Sequence, residues 1–341
     1  LVVQAVLKRI FAAAPDMKVV GTARSGVEGL QLLSRVDPDV ICTDLHMPHM
    51  DGLEFTREVM ATRPKPILVI STSVQTEDRQ NVFRLLEAGA VDVFPKPRHG
   101  LLDDPEGLRQ ELLAKIRVLS GVSVFTLRRH RRTPTPAPAP VPVRPLPATP
   151  ATRTRTKLVA IGASTGGPQA LQAILSALPK RFPAPIVCVQ HISLGFLSGL
   201  VAWLDSVCDL PVSIAQPGEY PKPGHIYFPP EERHLEMSDR GLFVCSATPP
   251  HQGHRPSVTV TFESMARFYG RGTLGVLLTG MGKDGAAGMV AISQAGGATI
   301  AQSEASCVVF GMPKEAIALG AAQAILPVEA IASAICRHVG V

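Results

Sequence analysis

"LVAIGASTGGPQAL" (residues 158–171) decides how this chain is read. Leu158-Val159-Ala160-Ile161 is an apolar run, a nest of small residues follows, and an amphipathic stretch opens at Pro168. That is strand, turn, helix, and the turn admits two chemistries. As Gly162-Ala163-Ser164-Thr165-Gly166-Gly167 it approaches a dinucleotide loop, but Ser164 stands where glycine lets the backbone near a pyrophosphate. No acidic residue follows about twenty positions on to take a ribose, and no lysine follows as a phosphate loop requires. As Gly162-x-Ser164-x-Gly166 it fits the turn that lifts a serine hydroxyl to the top of a sheet, with small flanks relieving the crowding.

A nucleophilic serine needs a base and an acid to orient it. His191 closes the next strand, "PIVCVQHI" (185–192). Asp284 lies in "LLTGMGKDGAAGM" (277–289), at the turn after a third apolar strand. Neighbouring parallel strands that end in Ser164, His191 and Asp284 put the three side chains in one crevice. There His191 would take the serine proton and Asp284 would fix its tautomer. The amide of Thr165 and the turn at Met281 and Gly282 are the expected oxyanion donors. The plainer reading of Asp284 is a cap on the helix that follows it.

Further outward, "TPTPAPAPVPVRPLPATPATRTR" (133–155) cannot join a sheet or a helix, because proline lacks an N–H and fixes φ. It divides the chain. The expected organisation is a first domain over 1–122, a Pro/Arg-rich linker over 123–156 and a second domain over 157–341. Both domains alternate β and α. In the first, "VVGTA" (19–23), "VICTD" (40–44), "PILVIS" (66–71) and "AVDVFPKP" (90–97) read as strands between amphipathic helices. The fold class is α/β twice over, with parallel sheets covered on both faces.

Composition agrees with two globular domains: 341 residues, 45% hydrophobic and 18% charged. The six cysteines are scattered without a CxxC pair, which points to a reducing cytoplasm rather than a disulfide or zinc scaffold. No signal peptide and no membrane span is expected. The net charge of +6 is concentrated near the linker, since residues 112–204 hold no Asp or Glu. Without aromatics among its arginines that tract reads as a solvated linker, not a nucleic-acid surface.

The first domain has its own constellation. Asp44 closes "PDVICTD", Ser71 or Thr72 closes "PILVIS", and Lys96 follows the next strand in "VFPKP". Carboxylate, hydroxyl and ammonium on adjacent strand ends form a phosphoryl-accepting set. On "PDVICTDLHMPHMDGLEF" and "VFPKP" this half resembles a response-regulator receiver domain, which implies a flavodoxin-like (βα)5 fold. The resemblance makes Asp44 the phosphoacceptor, Ser71 or Thr72 the switch hydroxyl and Lys96 the phosphate-sensing lysine. It also implies Mg²⁺. Receivers end their first strand in an acidic pair, whereas "LVV" taken as that strand runs straight into "QAVLKRIF" (4–11). The expectation is therefore a start truncated near the strand, Asp44 as the lone metal carboxylate, and weakened phosphorylation control.

The second half carries longer motifs: "AIGASTGGPQAL", "VQHI", "PGHIYFPP", "HRPSV", "LLTGMGKDGA" and "EASCVVFGMPKEAI". On these it resembles the catalytic domain of the chemotaxis protein-glutamate methylesterase family, CheB. The resemblance implies a doubly wound serine esterase needing no cofactor, with Ser164, His191 and Asp284 as the triad and the oxyanion site near Met281. It implies glutamyl methyl esters of chemoreceptors as substrates, methanol as product, glutamine deamidation by the same route, and a chemotaxis histidine kinase as phosphodonor. "HISLGF" (191–196) departs from the usual His-Met-Pro-Pro-Gly-Phe, placing Ser193 and Leu194 beside the base. A catalytically silent signalling adaptor is the reading from another class.

Overall fold

The computed structural model describes residues 2–71, 76–96, 107–122 and 156–341. Thr72, Pro97 and the proline-rich tract at 133–155 lie outside them. The first α/β unit runs α1 (Val2–Ala12), α2 (Gly26–Leu33), β1 (Ile41–Thr43), α3 (Gly52–Thr62), β2 (Ile67–Ser71), α4 (Thr76–Glu87), β3 (Asp92–Pro95) and α5 (Gly107–Ser120). β1, β2 and β3 form a parallel sheet in that order. β2 is buried along its whole length, so it reads as a continuous apolar run rather than an alternation. Ser25 and Asp51 cap α2 and α3, accepting from the N–H groups of Glu28 and Glu54 at 3.2 and 2.8 Å.

Two expectations fail here. "LVV" is not a strand: Val2 and Val3 open α1. Val3, Val6, Leu7, Ile10 and Phe11 pack on the core at helical spacing, and that period outweighs the short β-branched run. The stretch therefore does not bear on where an acidic pair would stand. "VVGTA" joins no strand ladder, and Val19 and Val20 are 39% and 46% exposed. A cleft of about 390 Å³, lined by Phe11, Leu32, Ile41 and Cys42 among others, adjoins it and β1. An extended run becomes a strand only when a neighbour takes its backbone groups.

The second unit runs β4 (Leu158–Ala163), α6 (Gly167–Leu175), β5 (Ile186–Gln190), α7 (Leu197–Val207), β6 (Val212–Ile214), β7 (Ile226–Phe228), β8 (His234–Met237), β9 (Phe243–Ser246) and α8 (Val258–Tyr269). It continues with β10 (Thr273–Leu277), α9 (Ala286–Gln294), β11 (Ala298–Gln302), α10 (Met312–Ala318), β12 (Ala324–Leu326) and α11 (Val328–Val339). Seven strands form a parallel sheet in the order β12-β11-β10-β4-β5-β7-β6, and β8–β9 is a separate antiparallel hairpin. β4 leads to β5 on one side and is flanked by β10 on the other. The winding reverses there, and a crevice opens beyond the carboxyl ends of such strands.

The two units share a core. Trp203 of α7 stacks on Phe83 of α4 with ring centroids 5.4 Å apart, and its Nε1–H donates to Glu87 at 2.7 Å. Gln169 at the start of α6 donates to the carbonyl of Ala90. These contacts set α5 of the first unit over the crevice of the second.

Candidate active site

Ser164 follows β4 directly and is nearly buried. The ladder on both sides of β4 continues one step past the strand: Ser164 N–H donates to Thr279 O at 3.0 Å, and His191 N–H to Ala163 O at 3.0 Å. Gln190 ties the two strand ends together, its Nε2 donating to the carbonyls of Ser164 and His191 at 2.8 Å each. Ser164 is not the left-handed residue of its turn. That conformation falls on Gly166, φ 75°, so the hydroxyl is presented without a strained serine backbone. Gly280 completes the seat: a Cβ there would lie 2.7 Å from Ser164 Cβ and would run into Met312 Sδ.

His191 Nε2–H donates to Asp284 Oδ2 at 2.9 Å. Its other ring nitrogen, Nδ1, is buried with no hydrogen-bond partner. The Ser164 hydroxyl makes no hydrogen bond with a described residue, so the structure draws His191 and Asp284 together and leaves Ser164 outside that bond. Asp284 does not cap the helix that follows it; Gly285 stands there, without a side chain to cap. It sits instead at the N-terminus of α8. Oδ1 accepts from Ser257 Oγ, Thr259 N–H and Gly285 N–H at 2.8, 3.0 and 2.9 Å, and Oδ2 accepts from Val258 N–H at 2.7 Å. Burial pushes this carboxyl up, but the hydrogen bond and charge of His191, with the donors of Thr259, outweigh it. They hold Asp284 well below the usual carboxylate range.

The amides of Thr165, Met281 and Gly282 donate to no described residue, and Met281 is 43% exposed at the crevice rim. They line a cavity of about 620 Å³ together with Ser164 and His191. Several residues there escaped the sequence reading. Gln190 and His254 belong to the second unit, and Glu111 and Lys115 come from α5 of the first. Glu111 accepts from Ser193 Oγ at 3.5 Å; burial first of all pushes its carboxyl up. Lys115 donates to Asp92 at 2.6 Å, and the same Asp92 oxygen accepts from Thr165 Oγ1 at 3.3 Å. A buried pair of the first unit thus touches the neighbour of Ser164. A polar residue inside "VCVQH" was the available signal for Gln190. Nothing in the sequence signals α5, because only the packing of the units brings it near.

The first unit's constellation also assembles at one end of its sheet. Asp44 Oδ2 pairs with Lys96 Nζ at 2.6 Å and Oδ1 accepts from His46 N–H at 3.3 Å. Ser71 is buried at the end of β2, and its carbonyl accepts from Lys96 N–H at 2.7 Å. Among the described residues no group of three or more His, Cys, Asp or Glu gathers to hold a metal. Asp44, the carboxylate of this set, is paired with Lys96, whereas Mg²⁺ takes near-octahedral oxygen coordination.

Residues 159–335 match the family model "CheB methylesterase" and residues 1–103 the model "Response regulator receiver domain". The protein-glutamate methylesterase/protein-glutamine glutaminase of Nitrosospira multiformis is 42% identical over 338 residues, covering 99% of this chain and 94% of its own. A protein of the same name, numbered 2, from Pseudomonas aeruginosa is 42% identical over 339 residues, covering 98% of this chain and 93% of its own. The crystal structure of the Thermotoga maritima CheB methylesterase catalytic domain, 42% identical, superposes with a TM-score of 0.52 and covers 54% of this chain and 99% of its own.

Proposed function

Because the chain belongs to the CheB methylesterase family, we propose that its crevice hydrolyses the methyl esters of glutamyl side chains on the cytoplasmic helices of chemoreceptors, in chemotaxis adaptation. The observation that carries the reading is the 2.9 Å bond between His191 Nε2 and a buried Asp284, at strand ends flanking Ser164. Asp284 claims Nε2, which leaves the partnerless Nδ1 to accept the Ser164 proton. Ser164 Oγ attacks the ester carbonyl, and the oxyanion forms against the amides of Thr165, Met281 and Gly282. His191 then returns the proton to the methoxy oxygen, methanol leaves, and a glutamyl ester of Ser164 remains. Water, deprotonated by His191, attacks that ester; collapse frees glutamate and restores the Ser164 hydroxyl. No metal or cofactor takes part. The names of the relatives support a second substrate, glutamine, whose amide leaves as ammonia by the same route.

The organisation that serves this is a receiver domain over 1–122, a linker over 123–156 and a catalytic domain over 157–341. The placement of α5, with Glu111 and Lys115 lining the cavity, supports a receiver that blocks the crevice at rest. Phosphorylation of Asp44 by a chemotaxis histidine kinase would break its pair with Lys96 and, through Lys96 and Ser71 or Thr72, release the block. Among the described residues no helix is long and apolar enough to cross a membrane; the reading places the protein in the cytoplasm, where the receptor helices it acts on lie. Methanol release from methyl-esterified receptor tests the reading. Release by the full chain should vanish in Ser164→Ala; a variant that keeps it would remove Ser164 as the nucleophile.

A further inference from the structure

The segment 251–259 reaches both members of the His191–Asp284 pair. Its far end, Ser257 to Thr259, supplies most of the cradle that holds Asp284. Its near end brings His254 face to face with His191, ring centroids 3.9 Å apart and planes 6° from parallel. Nothing in the reaction above uses His254.

The ring of His254 is carried on a closed turn. His254 N–H donates to His251 O and His251 N–H to His254 O, both at 3.0 Å. Between them Gln252 and Gly253 adopt φ of 52° and 84°, the two left-handed central residues of a type I′ turn. The next residues lead directly into the Ser257 cap of α8, whose hydroxyl accepts from Val260 N–H. A side chain held this way is placed by backbone pairing, not by a wandering loop.

The chemistry asks His191 to keep its plane while its proton comes and goes. An imidazole bonded at both nitrogens is fixed in plane by those bonds. Here Nε2 is bonded and Nδ1 is not, so hydrogen bonds fix the ring at one atom only. A parallel ring at van der Waals distance closes out-of-plane motion on one face.

We infer that His254 is a positioning residue of this reaction, its ring a platform that keeps the His191 imidazole edge-on between Asp284 and Ser164. The inference rests on the reading of His191 as the base. His254 does this work as a neutral ring. Burial, and then the neighbouring His191, push it down to about 4, with Lys115 of α5 adding to the push and Asp284 opposing it. A ring of similar shape that does not titrate should therefore stand in for it.

The test compares His254→Ala and His254→Phe with the full chain, measuring methanol release from methyl-esterified receptor with kcat and KM separated. Labelling of Ser164 by a fluorophosphonate serves as a readout independent of the receptor. His254→Ala should lower kcat about 10- to 100-fold and leave KM within about twofold, the pattern of lost positioning. The labelling rate should fall in proportion. His254→Phe should recover kcat to within about threefold and keep the wild-type pH profile above about pH 6. A folded Ala variant with kcat within about twofold of wild type overturns the inference, as does a loss confined to KM. A Phe variant as impaired as Ala, with an unchanged thermal midpoint, also overturns it. If the Ala variant does not fold, the Phe variant alone decides by the same limits. Ser164→Ala runs alongside: methanol released by that variant sinks the nucleophile assignment, whereas its silence beside an undisturbed His254→Ala sinks only the platform.

Discussion

Replacing Asp284 by asparagine should silence the enzyme while leaving it folded, and the reason lies in counting donors. The carboxylate accepts five: Ser257 Oγ, Thr259 N–H and Gly285 N–H at Oδ1, Val258 N–H and His191 at Oδ2. A carboxamide has one oxygen and one NH₂. With NH₂ at the Oδ1 place it opposes three donors; at the Oδ2 place it opposes Val258 N–H and faces His191 Nε2. The second orientation wastes less. There the amide donates to Nε2, so the imidazole proton moves to Nδ1, the atom that must accept from Ser164. The wrong tautomer costs roughly 10⁴ in kcat, about 5 kcal/mol of barrier. The stranded Val258 N–H costs about 1–3 kcal/mol of stability, a loss a domain of this size survives. Methanol release at saturating substrate, with a thermal melt on the same sample, reads both. A folded Asp284→Asn variant within about tenfold of wild-type kcat would refute the assignment of Nδ1 as the proton acceptor.

The same carboxylate shapes the acid limb of stability. Its folded-state pKa is depressed, so its contribution is complete above the unfolded value of about 3.9 and is lost as pH falls below it. The thermal midpoint of Asp284→Asn should accordingly fall less steeply than that of wild type below about pH 4; equal slopes would count against the cradle. Gly280→Ala pushes a methyl into Met312 and Ser164, so it should cost about 1–3 kcal/mol and lower kcat, checked by denaturant melts and methanol release. Asp92→Asn loosens the grip on Lys115 and Thr165 and should raise basal methanol release without a phosphodonor. An unchanged or lower rate from folded protein would show that this contact does not hold the crevice shut.

How much of this was legible in the sequence depends on how local each feature is. The turn at Ser164 could be read because an apolar run, small residues and Pro168 sit within one short stretch. His191 and Asp284 could be read because parallel strands must end on the same edge of a sheet. The acid's neighbours could not: Ser257 and Thr259 look like ordinary helix-start residues until α8 is packed against the turn at Asp284. Which residue of that turn takes the left-handed φ was not legible; it is Gly166, not Ser164. "LVV" misled because three residues are too few to show a helical period, and the period appears only with Val6, Leu7 and Ile10. "VVGTA" misled the other way, being a strand by composition with no neighbour to pair with among the described residues. The pairing of His254 with His191 joins residues far apart along the chain, and no pattern in either neighbourhood announces it.

The seam between the two units carries its own optical signal. The chain has a single tryptophan, and it is Trp203, stacked on Phe83 with its indole N–H given to Glu87. Both aromatic partners are nearly inaccessible to water, so separation of the units would wet the indole and free it from the carboxylate. Its emission therefore samples one place, the joint between regulator and enzyme, with no background from another indole. Any opening of that joint would be followed in unlabelled protein, in real time, by fluorescence alone.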